Sequence, residues 1–194
     1  MEGLVQLDQR ISLWLNQHNP EALNGFWQFM SGVREWIPLY VFLFGFIFWR
    51  LGWKKGLAVF FTVLLSTVIT DQVANLFKNG FMRLRPCRDP WMIENGIVCP
   101  NGIIGGLFGF FSGHASNSFG FAAGTWAALQ LNDKEHNYSL YGWFIMIWAF
   151  MMSLSRTMLA AHYLGDILVG ALFGLTSGCA LAYGAHKLLV IAKV

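Results

Sequence analysis

Three short polar segments hold the residues of this chain whose side chains could do chemistry together. They are Lys78 to Pro86, Ser112-Gly113-His114, and Ser155-Arg156 followed by His162 and Asp166. Among their groups are the long cations Lys78, Arg85 and Arg156, two imidazoles, the Ser112 hydroxyl, the Gly113 amide and one carboxylate. Arginine and lysine bind phosphate oxygens, and the amides at the start of a helix bind oxyanions. The set therefore predicts a site for a phosphate group.

His162 and Asp166 are four residues apart at the predicted start of a helix, so they share one helical face. A carboxylate can hold one ring nitrogen of a histidine protonated and leave the other free to attack. The pair therefore predicts a nucleophile and the carboxylate that orients it. His114 comes from a different helix and is the candidate general acid for the leaving oxygen. A single histidine is more often only a satisfied polar residue, so this interpretation depends on the combination.

The rest of the chain is so apolar that membrane spans are expected to position these segments. Of its 194 residues 56% are hydrophobic and 12% are charged, and the mean hydropathy is +0.49. We expect an all-α fold, a polytopic transmembrane helical bundle that forms a single domain over residues 1–194. About five spans are predicted, at residues 26–49, 56–77, 112 or 115–131, 140–154 and 162–191.

Several classes of partner are not expected. The formal net charge of +3 is small and the basic residues form no run, so nucleic acid is an unexpected partner. No paired carboxylates, Cys/His quartet or Gly-rich nucleotide loop is present, so neither a metal nor a cofactor is expected. No cleavable signal peptide is expected, because residues 1–20 lack an unbroken apolar core. The pattern does not indicate an oligomeric state.

Residues 1–19 predict an amphipathic helix outside the five spans. Its apolar face carries Leu4, Leu7, Ile11, Trp14 and Leu15. Its polar face carries Asp8, Gln9, Arg10, Ser12 and Asn16. An interfacial helix has this pattern, and so does a helix that packs against the bundle. The sequence favours neither of the two.

Residues 78–111 are expected to form an external loop, since most of this stretch is too polar to lie in lipid. Basic residues are nearly balanced between the two predicted sides of the membrane. With the three cations of the candidate phosphate site set aside, the positive-inside rule places the loop outside the cytoplasm. Cys87 and Cys99 would close a ring of about a dozen residues there, and a disulfide is favoured in an oxidising compartment.

The three segments resemble, in order and spacing, the motifs of the type 2 phosphatidic acid phosphatase family. Lys78 to Pro86 is similar to K-x6-R-P, residues 112–114 to the end of P-S-G-H, and residues 155–166 to S-R-x5-H-x3-D. The motifs span residues 78–166, and the pattern of spans extends the similarity over most of the chain. Three motifs in register are far more specific than one. Phe111 stands where the family usually has proline, which removes no chemical group.

The resemblance implies a metal-independent phosphomonoesterase or pyrophosphatase that works through a phosphohistidine. His162 would be the nucleophile, Asp166 its partner and His114 the acid, with Ser155 in a supporting role. The groups implied to hold the phosphoryl oxygens are Lys78, Arg85, Ser112, the Gly113 amide and Arg156.

The expected substrate is a membrane lipid phosphate or diphosphate whose chains remain in the bilayer. The chain resembles undecaprenyl pyrophosphate phosphatases in its compact size and its N-terminal helix, which favours that activity. Arg83 and Arg88 could reach a second phosphate, although solvated loop charges are the favoured interpretation. Lipid A phosphatase, phosphatidylglycerophosphate phosphatase and a non-hydrolytic phospholipid-binding or transport protein are the alternatives. The expected location is a bacterial inner membrane, with the site facing the periplasm or the cell exterior.

Overall fold

The computed structural model describes residues 2–100, 102 and 105–193, and most of these are helical. The predicted single domain also includes Met1, Asn101, Ile103, Ile104 and Val194, which lie outside the described residues. The helices of the described part are α1 (Glu2–Gln17), α2 (Asn24–Ser31), α3 (Ile37–Phe81), α4 (Pro90–Glu94), α5 (Gly113–Asn132), α6 (Ser139–Met158) and α7 (Leu164–Ile191). The predicted all-α class is confirmed.

Helix α5 packs against α3, α6 and α7 and so forms the centre of the bundle. It lies closest to α7, where a methyl group on Gly174 or Gly178 would strike the backbone of Ser116 or Gly120. Small residues at a crossing let two helix backbones approach, which strengthens packing inside a membrane. Away from this crossing the core is built from large apolar side chains, among them Leu43, Ile47, Leu129 and Ile145.

Helix α3 consists of two arms that meet at Gly52 and fold back on each other. Gly52 has φ 73° and ψ 173°, a backbone conformation that is essentially limited to glycine. Phe44 of the first arm and Phe60 of the second contact each other edge to face, with ring centroids 5.2 Å apart. The first two predicted spans therefore both belong to α3.

The first predicted span began too early. It was placed at residues 26–49, but residues 26–31 belong to the separate helix α2, and α3 begins only at Ile37. Gly32, which caps α2 with extended backbone, ends that helix. Pro38 lies in the first turn of α3, where a proline without an N–H costs no helical hydrogen bond.

The loop before α5 begins later than predicted. The second arm of α3 continues to Phe81, so Lys78 lies in its last turn and not in a loop of residues 78–111. The Cys87–Cys99 disulfide is present, with the two Cα atoms 6.2 Å apart, and this confirms the expected pairing. The disulfide closes the described loop around the short helix α4.

Helix α1 packs on the bundle through its polar face. Asn16 is only 3% exposed, and its side-chain amide donates to Val98 O at 2.9 Å and Met158 O at 3.0 Å. No described residue covers the opposite face, and the exposed fractions there are 74%, 52%, 38% and 58% at Leu4, Leu7, Ile11 and Trp14. An apolar face beside a membrane-embedded bundle suits the bilayer surface. Both readings of the N-terminal pattern thus describe part of this helix.

The outer surface of the bundle is apolar, as expected for a membrane protein. Two helical stretches of the described part are long and apolar enough to cross a membrane: Arg34–Phe81, which contains both arms of α3, and Leu164–Ile191. Large side chains such as Phe42, Trp143 and Leu172 are more than 60% exposed. Such a surface suits hydrocarbon and not water. The transmembrane bundle is thus supported, whereas the count of five spans stays a prediction.

We expect Gly52→Ala to lower the free energy of unfolding by about 1 to 3 kcal/mol, because alanine is strained at this φ and ψ. Gly45→Ala is the matched control, since a methyl group at Gly45 meets no atom within 4 Å in the same arm of α3. Thermal unfolding in detergent measures both variants. Equal midpoints for the two would contradict the assigned turn.

Candidate active site

The three polar segments meet at one end of the bundle. Arg85 Nη1 donates to Ala161 O at 2.8 Å and lies 3.2 Å from His162 Nε2, which joins the first segment to the third. The amide of Ser112 donates to Asp166 O at 3.0 Å, which joins the second segment to the third. Residues far apart in the sequence are therefore assembled around one histidine.

A short turn between α6 and α7 positions His162. The sequence placed His162 at the start of the last span, but α7 begins only at Leu164, so His162 precedes the helix. Tyr163 has extended backbone and donates its amide to Asp166 Oδ2 at 3.2 Å. This contact caps the helix after Tyr163 and excludes His162 from its first turn.

The other side of the turn is held by the end of α6. The amides of Ala161 and His162 donate to Arg156 O at 2.8 and 3.1 Å. Ser155 is fully buried and its hydroxyl donates to Met152 O at 2.6 Å within α6. This bond points the Ser155 hydroxyl back into its own helix, an arrangement that suits a supporting role.

The two partners of the His162 ring set its tautomer. Arg85 can only donate hydrogen bonds, so Nε2 must be the ring nitrogen that carries the lone pair. Asp166 Oδ2 lies 3.4 Å from Nδ1 and, as a carboxylate, only accepts, so Nδ1 carries the proton. The Nε2 lone pair thus accepts from the Arg85 guanidinium, and a phosphate bound by this guanidinium would lie within reach of attack.

Burial keeps the His162 imidazole neutral. The residue is 2% exposed, and burial lowers its pKa to about 4, although the hydrogen bond and charge of Asp166 act in the opposite direction. The positive charges of Arg85 and Arg156 lower the pKa further. The neutral ring is the nucleophilic form, so it is available throughout the neutral pH range.

Three cations near His114 and His162 form no ion pair among the described residues. Among the described residues no carboxylate oxygen lies within 4 Å of a side-chain nitrogen of Lys78, Arg85 or Arg156. Arg85 and Arg156 are 8% and 7% exposed, and the Nε of each has no hydrogen-bond partner in the described part. Buried cations without a counter-charge are costly, so the arrangement suits an anion that binds between them.

Hydrogen bonds to neutral oxygens hold these cations in place without neutralising their charge. Arg156 Nη1 donates to the hydroxyl of Ser31, which follows from the packing of α2 on α6. Lys78 Nζ donates to Asn75 Oδ1 at 3.4 Å, one turn back on α3. Each cation therefore keeps donors free for phosphoryl oxygens.

The start of α5 adds uncharged donors beside Lys78. Ser112 is its N-cap, and Ser112 Oγ accepts from the Ala115 amide at 3.4 Å. The amides of Gly113 and His114 come first in the helix and have no acceptor within it by position. A methyl group on Gly113 would lie 3.6 Å from Asp71 Oδ1 and 3.9 Å from Lys78 Nζ, so this end of the helix is close to both side chains. A helix N-terminus also favours an anion through its dipole.

His114 connects the polar site to an apolar groove. It lies near His162 and close enough to Arg156 and Lys78 for their positive charges to act on it. On its other side it lines a groove of about 350 Å³ between the two arms of α3 and helix α5, together with Tyr40, Phe44, Phe60, Val63, Leu64 and Phe121. An apolar lipid chain suits the lining of this groove, with the polar head group of the lipid at His114.

Sequence reasoning missed two residues beside the site, Asp8 and Arg83. The interpretation of Arg83 as a solvated loop charge was wrong, because its side chain is 22% exposed and pairs with both Asp8 and Asp166. One signal was available for Asp8: it shares a helical face with Ser12 and Asn16, at spacings of four residues.

Comparisons with known proteins agree with this architecture. A family model described as the PAP2 superfamily matches residues 55–189. The chain is 34% identical over 189 residues to the lipid A 4'-phosphatase of Bacteroides thetaiotaomicron, across 97% of this chain and 81% of that protein. It is 29% identical over 179 residues to the lipid A 4'-phosphatase of Porphyromonas gingivalis, across 92% and 72%.

A solved structure has the same fold. The crystal structure of a transmembrane PAP2-type phosphatidylglycerolphosphate phosphatase from Bacillus subtilis aligns with a TM-score of 0.70. The alignment covers 97% of this chain and 89% of the other at 19% identity, so the likeness concerns the fold.

We expect the His162 ring to stay neutral when the pH falls from 7 to 5, since its lowered pKa of about 4 is reached only in stronger acid. The unfolded chain, whose histidine pKa is about 6.5, binds that proton earlier, so this residue makes the fold less stable as the pH falls. NMR of protein labelled with ¹⁵N-histidine, with His162→Asn to assign the signal, follows the ring. Asp166→Asn should lower the pKa further, and titration near 6.5 in the folded protein would refute the burial argument.

Proposed function

The chain belongs to the PAP2 superfamily, and we propose that this membrane phosphatase removes a phosphate from a lipid through a phosphohistidine at His162. One observation carries the mechanism. Arg85 lies 3.2 Å from Nε2 of His162, Arg156 and Lys78 lie in the same site near His114, and none of the three forms an ion pair among the described residues. A phosphate dianion supplies the missing counter-charge at the position from which His162 can attack.

In the first step His162 Nε2 attacks phosphorus and the bond from phosphorus to the lipid oxygen breaks. The leaving oxygen takes a proton from His114, which lies across the site on α5. Negative charge on the phosphoryl oxygens is stabilised by the three cations and by the Gly113 amide. Asp166 holds the Nδ1 proton and stabilises the positive charge that the ring acquires.

In the second step water attacks the phosphohistidine and gives a proton to His114. The nitrogen–phosphorus bond breaks, His162 regains its lone pair, and inorganic phosphate leaves. The proton that His114 gave up in the first step is thereby restored, so the site returns to its starting state. The residues do this by positioning and by charge stabilisation.

The substrate is a membrane lipid with a phosphate monoester, of the lipid A type. The two relatives that match over more than nine-tenths of this chain are lipid A 4'-phosphatases, which supports this class. The groove beside His114 supports an apolar chain near the reacting phosphate. Of the two arginines that could reach the second phosphate of a diphosphate lipid, Arg83 is already paired with Asp8 and Asp166. Undecaprenyl pyrophosphate stays a prediction from the sequence.

The site faces the periplasm of a bacterial inner membrane. The Cys87–Cys99 disulfide lies in the loop that follows Arg85, at the same end of the bundle as His162. Disulfides persist in oxidising compartments, and the positive-inside rule places this end outside the cytoplasm. The head group of a lipid in the outer leaflet would thus reach the site directly.

We expect purified wild-type protein in detergent to release phosphate from lipid A in the presence of EDTA, and His162→Ala to release none above background. His18→Ala is the matched control, because His18 is exposed in the turn directly after α1 and its ring bonds to Trp14 O of that helix. Phosphatidylglycerophosphate, phosphatidic acid and undecaprenyl pyrophosphate complete the panel and identify the lipid. Activity that survives in His162→Ala would rule out the phosphohistidine.

We expect Val63→Phe to raise KM for the lipid several-fold, because Val63 lines the groove and is 9% exposed. Hydrolysis of a short soluble phosphomonoester should change little, since it does not need the groove. Val68→Phe is the control on the same helix arm, at a site that is 50% exposed and outside the groove. If both variants bind the lipid as wild type does, the chains lie elsewhere.

A further inference from the structure

Helix α1 places a carboxylate against the start of α7. Asp8 Oδ1 accepts from the Gly165 amide at 2.7 Å, and one turn later Ser12 Oγ accepts from the Leu164 amide at 2.8 Å. The first amides of a helix have no acceptor within it, so α1 caps α7 from outside. The helix that carries Asp166 is therefore anchored by a segment that precedes residues 55–189 of the family match.

Arg83 connects this carboxylate to the nucleophile's partner. Its Nη2 lies 2.7 Å from Asp8 Oδ2 and its Nη1 lies 2.8 Å from Asp166 Oδ1. Its guanidinium carbon lies 3.8 Å above the centre of the Tyr163 ring. Burial lowers the pKa of Arg83, but the charges of Asp166 and Asp8 outweigh burial and raise it, so the side chain stays charged. Its planar group is held on both edges and on one face.

We propose that Asp8 and Arg83 are positioning residues, which act on His162 through Asp166. Arg83 engages Asp166 Oδ1 and leaves Oδ2 to face His162 Nδ1 at 3.4 Å. The Asp166 side chain is then fixed at both oxygens, since Oδ2 also accepts from the Tyr163 amide. The inference rests on the proposed nucleophilic role of His162 and extends it to a chain of four side chains: Asp8, Arg83, Asp166 and His162.

This series of four side chains has two consequences for His162. A fixed Asp166 holds the Nδ1 tautomer and the ring orientation, which keeps Nε2 aimed at the phosphate. Asp8 also neutralises Arg83. Without Asp8, the full charge of Arg83 would act on Asp166 and weaken its stabilisation of the positively charged ring that forms during attack. Loss of Asp8 should therefore slow the chemical step and leave substrate binding intact.

A double-mutant cycle tests this chain in the full-length protein with a soluble phosphomonoester. Asp8→Asn should lower kcat roughly 10-fold to 100-fold, the size expected when a charged hydrogen bond is lost, with KM within about two-fold of wild type. In the Asp166→Asn background the same change should lower kcat less than about two-fold, because the residue through which Asp8 acts is already disabled. Arg10→Gln, an exposed charge change on α1, should leave kcat unchanged.

Gly165→Ala provides a second test, because it disturbs the contact between Asp8 and Arg83 and keeps both charges. A methyl group there would lie 2.6 Å from Asp8 Oδ2 and push the carboxylate away from Arg83. It should lower kcat as Asp8→Asn does, while Gly184→Ala, in open space on the same helix, should not.

Thermal unfolding in detergent separates a positioning role from a purely structural one. Unchanged midpoints with lowered kcat support the proposal. The proposal would be overturned if Asp8→Asn lowered kcat as much in the Asp166→Asn background as it does in the wild-type background. Wild-type kcat in the single variants would also overturn it. Neither of these results touches the proposed function, which fails only if His162→Ala retains activity.

Discussion

Three cations held near two histidines, with no ion pair among the described residues, are the constraint on which the rest of the structure depends. Like charges repel, and burial at the end of an apolar bundle makes each one costly. The protein holds Arg85 and Arg156 with neutral oxygens, those of Ala161 and Ser31. Neutral partners fix the side chains and leave their charge for an anion. The site is thereby prepared for phosphate at the expense of its own stability.

The opposite end of the bundle shows what a purely structural charge cluster looks like. There Arg50 bonds to Asp133 at 2.9 Å and to Tyr138 at 3.0 Å. Hydrogen bonds from Tyr138, His136 and Arg50 lower the pKa of Asp133 against the effect of burial. The charged groups in this cluster pair with one another, and the cluster joins α3 to the α5–α6 turn. The difference between the two ends lies in the missing counter-charge and not in the number of charged residues.

Close helix packing brings the separate parts of the site together. Because glycines let α5 and α7 approach each other, the Ser112 amide reaches Asp166 O, and the start of α5 faces the turn that carries His162. The carboxylate beside His162, Asp166, would partly cancel the cations if it were free. Arg83 engages it, and Asp8 in turn balances Arg83. A segment outside the matched family region thus completes the charge arrangement.

The chemical groups of the site and the helical class could be predicted from the sequence alone, because both are encoded locally. The three segments are short, and the apolar stretches that become helices are continuous. Long-range contacts decided the rest. Arg83 pairs with Asp8 across 75 residues, and Asp8 caps Gly165 across 157 residues. No local pattern indicates that Arg83 pairs with Asp8 and Asp166 or that α1 packs by its polar face, since burial and pairing arise only when distant helices meet.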